Sequence, residues 1–187
     1  SGHILVEAYD LFKAIYLERG YRERDAAKVI LTKNLYGLDI DQRAAQLSGF
    51  ALMMKGRADD RRLFERDIKL NVMAMVNSDE LDIGFLTHAI KSNKMGLEES
   101  DLRELKKLFE HATTFGSLIQ IPEHLASKLP AMRQLCDPEE GYLYVEKALE
   151  NLEPLIRQAE ILAGCYDYVV ANPPYMGTKY QHGELKD

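Results

Sequence analysis

Apolar residues recur three or four positions apart in much of the N-terminal half of the chain, which is the spacing of one helix face. The first such run spans residues 4–16 and closes at Gly20, a residue suited to a helix C-cap. The same half predicts four further elements: a helix at about 23–33, a strand in "NLYGLDI" (34–40), a helix capped by Asp41 and a strand in "KLNVMAMV" (69–76).

The C-terminal half begins with a helical pattern at 98–115, for which Ser100 is the expected N-cap. The segment "GSLIQIP" (116–122) indicates a short strand-like or extended piece. A long helical pattern at 141–162 contains Pro154, which predicts a bend or a break. The apolar run "YDYVVA" (166–171) predicts a buried strand.

Strands that alternate with helices predict an α/β fold with a parallel sheet. The helical stretch before the last strand is too long for a simple crossover, so we expect it to form an inserted helical subdomain. The expected organisation is one domain in three parts: residues 1–80, residues 81–162 for the insertion, and residues 163–187 for the last strand and loop.

Composition and charge limit the possible functions. The hydrophobic content of 46% and the charged content of 29% are typical of a soluble globular protein. The formal net charge of -6 argues against a chain that grips DNA unaided, because such chains usually carry a basic face. No apolar run approaches the ~20 residues of a membrane span, and the N-terminus lacks signal-peptide features, so we expect a cytoplasmic protein with no membrane contact. Neither cysteine has a Cys or His at ligand spacing, so no metal site is expected.

Two predicted strands end in polar residues with distinctive chemistry. Because ligands bind at the carboxyl ends of strands in open α/β sheets, Asp39 could accept the two hydroxyls of a ribose, and Ile40 could lie against an adenine ring. On its own, the acid could equally end a strand without binding anything.

The second polar corner is "NPPY" (172–175), which follows the last predicted strand. The side-chain oxygen of Asn172 and the carbonyls of Pro173 and Pro174 are rigidly placed acceptors, which suit an exocyclic amine with two hydrogens to donate. Tyr175 offers a flat face for stacking on a heteroaromatic ring. The alternative interpretation is a strand-to-loop turn with a surface tyrosine.

These segments carry a family resemblance. "YDYVVANPPYMG" resembles motif IV of the S-adenosylmethionine-dependent amino-methyltransferases, and "KNLYGLDIDQRAAQLSGFAL" resembles their second motif and its helix. "SGHILVEAYDLF" is similar to the end of their first motif. "NPPYMGTKY" and "GHILVEAYDL" are most similar to the adenine-specific DNA methyltransferases of phage-exclusion (BREX, PglX-type) systems.

The resemblance implies a partial Rossmann-like methyltransferase sheet with S-adenosylmethionine as cofactor. Gly2 would lie near its methionine end and Asp39 on its ribose. Asp79 would lie near its adenine amine, although Ser78 or Glu80 could occupy that place. The alternative interpretation of this segment is a solvated loop. The implied reaction is methyl transfer to N6 of an adenine flipped out of double-stranded DNA, with the amine held by Asn172 and Pro173 and the base stacked on Tyr175.

The chain begins inside the first motif and ends soon after the fourth, so we expect a fragment of a larger methyltransferase that is inactive alone. DNA would be held mainly by regions outside it, and an open sheet edge could cause self-association. Two alternatives stay open: a methyltransferase of RNA or of protein glutamine, and a non-catalytic helical docking module.

Overall fold

A computed structural model describes residues 2–86, 96–136 and 143–171, without the side chains of 143–146. The expected catalytic corner, residues 172–175, lies outside the described residues. The described residues divide into two compact units, a first unit up to Met75 and a second unit from Val76 onwards. Each unit is described here by itself.

The first unit places three helices around a small parallel sheet. Helix α1 spans His3–Glu18, α2 spans Glu23–Val29, strand β1 spans Tyr36–Asp39, α3 spans Gln42–Asp59 and β2 spans Asn71–Ala74. Helix α2 continues as one π-helical stretch, Ile30–Asn34. These bounds confirm the five elements predicted in this half of the sequence.

The two strands pair in parallel, from Tyr36 opposite Asn71 to Asp39 opposite Ala74. Since β1, α3 and β2 follow one another along the chain, they form a β-α-β unit, and the carboxyl ends of both strands lie at the same edge. A buried cluster beneath the helices fixes this arrangement; its members are Tyr9, Ala26, Ala27, Ile30, Leu31, Leu35, Leu52 and Leu63.

The second unit is helical in its described residues. Helix α4 spans Glu99–Leu108, α5 spans Ala112–Phe115, α6 spans Glu123–Ala126, α7 spans Leu129–Leu135 and α8 spans Leu143–Ala163. Its core includes fully buried residues from α4 and α8: Leu102, Leu105, Leu152 and Ala159. The chain as described is thus helix-rich with a two-stranded parallel sheet, which is compatible with part of a methyltransferase fold.

Three predictions for the second half need correction. Helix α4 is capped by Glu98 and not by Ser100, because the Asp101 carboxylate reaches back to accept the Glu98 N–H at 2.8 Å. Segment 116–122 opens with a 3-10 turn, Gly116–Leu118, so it is not a strand, although Ile119 and Pro122 are extended as the alternative expected. Helix α8 continues through Pro154, so the predicted break is wrong, and the predicted bend stays a prediction.

The predicted buried strand at 166–171 is also wrong in the described structure. These residues form no ladder, and Tyr168, Val169 and Val170 are 88%, 79% and 69% exposed. The apolar composition of this segment favours a strand, but a strand also needs a neighbour with which its backbone groups can pair. In the described part of the chain the sheet contains only β1 and β2.

Candidate active site

The first predicted strand-end site comprises Gly2 and Asp39, both in the first unit. Gly2 caps α1 in the left-handed region (φ 79°), and its carbonyl accepts the Val6 N–H at 3.0 Å. A Cβ at Gly2 would lie 2.8 Å from Ser48 Oγ and 2.9 Å from Ser48 Cα. Only glycine therefore fits here without movement of α3, both for its φ and for the close approach.

Asp39 ends β1 with a half-buried carboxylate. Its Oδ1 accepts the Asp41 N–H at 3.0 Å, and its backbone carbonyl accepts the Met75 N–H at 2.8 Å. The next side chain, Ile40, is 53% exposed. An acceptor beside an exposed apolar surface suits a ribose and the base attached to it.

The prediction that Asp41 caps α3 is confirmed, so the helix start does not depend on the Asp39 carboxylate. The Asp41 Oδ1 accepts the N–H groups of Arg43 at 2.7 Å and Ala44 at 3.4 Å. The two acids of "DID" thus have separate tasks, since one ends the strand and the other starts the helix.

Helix α1 is placed against β1 through its first turn. A Cβ at Gly37 would lie 3.0 Å from Leu5 Cδ1, so the strand and the start of the helix are in close contact. Gly37 precedes Asp39 by two positions, and Gly2 precedes Leu5 by three. The structure therefore places the start of α1 against β1, two residues before Asp39.

A polar network farther along α1 fastens it to α3. The buried Tyr9 hydroxyl donates to Asp59 Oδ2 at 2.8 Å, and Lys13 Nζ donates to Asp59 Oδ1 at 2.6 Å. Burial, reinforced by the hydrogen bond to Asp59, raises the pKa of Tyr9. The hydrogen bond to Asp59 also raises the pKa of Lys13. Both groups therefore keep their protons in the folded protein well into the alkaline range.

The second strand-end site, the β2 turn, comprises residues 76–81 of the second unit. Asp79 is exposed at its centre, and so is Glu80. Ser78 is 2% exposed; its N–H donates to the Phe109 carbonyl at 3.0 Å and its hydroxyl donates to the Lys106 carbonyl. Of the three alternatives for the third motif, Ser78 therefore has a structural role, and Asp79 and Glu80 keep accessible carboxylates.

The environment of Asp79 is an open groove of mixed charge. Its walls are residues 78–84 and four side chains of α4 and the following turn: Arg103, Lys106, Lys107 and Glu110. Lys106 Nζ donates to the Leu81 carbonyl at 2.6 Å, and Arg103 pairs with Glu99. This groove lies beside the β2 turn; the sequence analysis predicted a cofactor contact at Asp79 but not the groove.

Sequence reasoning missed Gln158. Its side chain is fully buried on α8, where Oε1 accepts the Val76 N–H at 2.9 Å and Nε2 donates to the Val76 carbonyl at 3.0 Å. The available signal was its position: Gln158 falls on the same helix face as Leu155 and Leu162, where an amide needs a specific partner.

The remaining expected site residues, Asn172, Pro173, Pro174 and Tyr175, lie outside the described residues, so their roles stay predictions. In the described ranges, no helix is long and apolar enough to cross a membrane. The same ranges contain no group of three or more His, Cys, Asp or Glu side chains arranged to hold a metal ion.

Comparison with known proteins identifies the class. The profile of the Eco57I restriction-modification methylase family matches residues 33–187, most of the chain. The chain therefore belongs to this methylase family.

Two curated relatives are adenine-specific methyltransferases. One is BrxX of Escherichia coli O9:H4 (strain HS), 46% identical over 210 residues that cover 100% of this chain and 17% of the relative. Another is PglX of Lacticaseibacillus casei (strain Zhang), 35% identical over 183 residues that cover 95% of this chain and 15% of the relative. The chain thus spans about a sixth of the length of these relatives, and they agree with the family resemblance seen in the sequence motifs.

Proposed function

We propose that this chain supplies the cofactor-binding turns and the target-amine motif of an N6-adenine DNA methyltransferase that uses S-adenosylmethionine. The observation that carries the proposal is the first strand-end site: a half-buried carboxylate ends a parallel strand, an exposed Ile40 follows it, and a glycine-only turn begins the adjacent helix. Family membership and the adenine-specific methyltransferases among the relatives support methyl transfer to adenine.

The residues present fit the cofactor. The Asp39 carboxylate can accept hydrogen bonds from both ribose hydroxyls, and Ile40 can cover one face of the adenine. Gly2 is proposed near the methionine end of the cofactor; its own need for glycine comes from its φ of 79° and from the contact with Ser48. Asp79 can accept a hydrogen bond from the adenine amine. In the partial Rossmann-like fold that we propose, Gly2, Asp39 and Ile40 of the first unit and Asp79 of the second unit are separate cofactor contacts.

When bound, S-adenosylmethionine supplies an electrophilic methyl group. The chain's own residues prepare the nucleophile: Asn172 Oδ1 and the Pro173 carbonyl accept the two N6 hydrogens, while Pro174 keeps the corner rigid and Tyr175 stacks on the flipped adenine. These bonds draw the nitrogen lone pair out of ring conjugation and aim it at the methyl carbon. The proton lost from N6 afterwards passes to solvent, and catalysis rests on positioning and polarisation.

The DNA substrate is proposed from the sequence motifs and the restriction-modification family, and not from the charge of this chain. With a net charge of -6, the chain leaves most phosphate contacts to other parts of an intact enzyme. A target in RNA or in protein glutamine would use the same amine chemistry, so both belong in the test as alternative substrates.

The test begins with calorimetric titration of S-adenosylmethionine into the intact protein. Asp39→Ala should weaken binding about tenfold or more, because it removes hydrogen bonds worth at least ~1.4 kcal/mol. Asp67→Ala is the matched control, since Asp67 is an exposed acid of the same unit, and it should leave affinity unchanged.

Methyl transfer is then assayed on unmethylated DNA, RNA and protein. Asn172→Ala should lower the rate on DNA by about 10²-fold or more while cofactor affinity changes less than about twofold. An intact protein that does not bind S-adenosylmethionine would overturn the proposal, and transfer to RNA or protein alone would overturn its DNA part.

A further inference from the structure

The side chain of Gln158 hydrogen-bonds the backbone of the β2 turn in the way that a neighbouring strand would. Ladder pairing of β2 ends at Ala74, and Val76 lies two residues beyond it. Gln158 then supplies both an acceptor and a donor to the Val76 backbone, at 2.9 and 3.0 Å, with its own side chain 0% exposed. A primary amide bound in this two-point way fixes both the position and the direction of the peptide it contacts.

The other residues of the β2 turn are also fixed by hydrogen bonds. Asn77 Oδ1 accepts the Thr113 N–H at 3.0 Å, and the Ser78 carbonyl accepts the Leu81 N–H at 3.0 Å. The Glu80 carbonyl accepts from Asn151 Nδ2, also on α8, at 2.9 Å. Helix α8 therefore holds the turn before and after its exposed centre.

Asp79 lies at the exposed centre of this hydrogen-bonded turn. Its neighbours on both sides are immobilised through their backbones, and its own side chain remains exposed. An apolar side chain at position 158 could fill the same space, so the particular contribution of the amide is the orientation of the turn. Holding a ligand-binding group in place beforehand lowers the entropy lost when the ligand binds.

We infer that Gln158 is a positioning residue for the cofactor: it acts through the Val76 peptide to aim Asp79 at its ligand. The inference rests on the proposed function. It gives helix α8 a role in cofactor binding that its sequence does not suggest. Gln158 itself touches neither cofactor nor target.

The test uses the intact protein and compares Gln158→Met with two controls. Gln134→Met makes the same chemical change at an exposed position of α7. Leu155→Ala removes a buried side chain from α8 without removing a hydrogen bond to the turn. Each variant is first shown to be folded by its thermal transition, and S-adenosylmethionine affinity, KM and kcat are then measured below that transition.

We expect Gln158→Met to raise Kd and KM for S-adenosylmethionine about tenfold, with kcat at saturation within about twofold. Gln134→Met should change neither constant. Leu155→Ala should lower the thermal transition at least as far as Gln158→Met, yet leave the Kd of the folded protein within about twofold.

A double-mutant cycle tests the route through Asp79. In an Asp79→Ala background, Gln158→Met should no longer weaken binding, whereas in a Glu80→Ala background its tenfold effect should persist. An unchanged Kd in folded Gln158→Met, an equal effect of Leu155→Ala, or full additivity with Asp79→Ala would each overturn the inference. Failure of the unaltered protein to bind cofactor would instead overturn the proposed function.

Discussion

The segments that follow β1 and β2 are held in opposite ways. After β1, the bonds are local: the Asp41 N–H donates to Asp39, and the Asp41 carboxylate caps the helix that begins at the next residue. After β2, the partners of residues 76, 77 and 80 come from 82, 36 and 71 positions away along the chain. Each strand end carries an acid. The Asp39 side chain accepts a hydrogen bond from its own segment, although the Asp39 carbonyl accepts the Met75 N–H from the paired strand's end.

This difference separates two ways of building a ligand site. A locally held acid needs only a strand end and a helix start, so it depends on backbone geometry at a few positions. An acid held from a distance depends on the packing of another region, and it can therefore be altered without any change near it. The predictions below test this contrast, beginning with the largest expected effect.

Gly2→Ala should be the most damaging small change near the first site. It places a side chain in the left-handed region and brings its Cβ to 2.9 Å from the Ser48 backbone, so we expect a loss of about 2–3 kcal/mol. Gly20→Ala is the matched control, because Gly20 has φ 83° with nothing within 4 Å of a Cβ; it should cost about 1 kcal/mol. Amide hydrogen exchange in α1 and α3 measures the loss of stability in both variants. Equal losses of stability would contradict the close contact between Gly2 and Ser48.

Local signals explain which parts of the fold could be predicted. Asp41 before a helical pattern identifies a helix start, and a β-α-β succession implies parallel pairing, so β1, α3 and β2 were found with little error. The cap of α4 was missed by two residues, because the choice between Glu98 and Ser100 is decided by where the Asp101 side chain reaches.

Long-range contacts explain what could not be predicted. Nothing near Val76 in the sequence indicates Gln158, because the two are 82 positions apart. The segment 166–171 has the composition of a strand, but composition does not provide a pairing partner. The strand end at Asp39 was thus predictable because its geometry is local, and the turn around Asp79 was only partly so. The cofactor roles of both acids stay predictions.

Asp41→Ala tests the local character of the first site. It removes the acceptor for the Arg43 and Ala44 N–H groups, and an N-cap of this type is worth about 1 kcal/mol. Hydrogen exchange in the first turn of α3 should accelerate accordingly, while exchange at Val76 should not change. Asp41→Asn is the control, since it keeps an oxygen acceptor and should retain most of the stability. Acceleration at Val76 would show that the two segments are not independently held.

The smallest predicted effect is the pH dependence of stability. It applies to the Lys13–Asp59 bond of the first unit and not to the Gln158–Val76 contact, which has no ionisable group. The hydrogen bond to Asp59 raises the folded-state pKa of Lys13 above its unfolded value of about 10.4, so its stabilisation is fully present below that value and is lost as the pH rises through the folded pKa. At pH 8, Lys13→Met should lose about 0.5–1 kcal/mol in the first unit, and this deficit should narrow as the pH rises above about 10.4.

The pH comparison needs a control that removes a lysine charge without removing this contact. Lys55, which pairs with Asp10 at an exposed position, provides it: Lys55→Met should change stability less than Lys13→Met at pH 8. Urea unfolding at several pH values, followed by hydrogen exchange in α1 and α3, measures both variants. A deficit in Lys13→Met that stays constant to the highest pH would show that packing of the lysine stem, and not its proton-dependent bond to Asp59, holds α1 against α3.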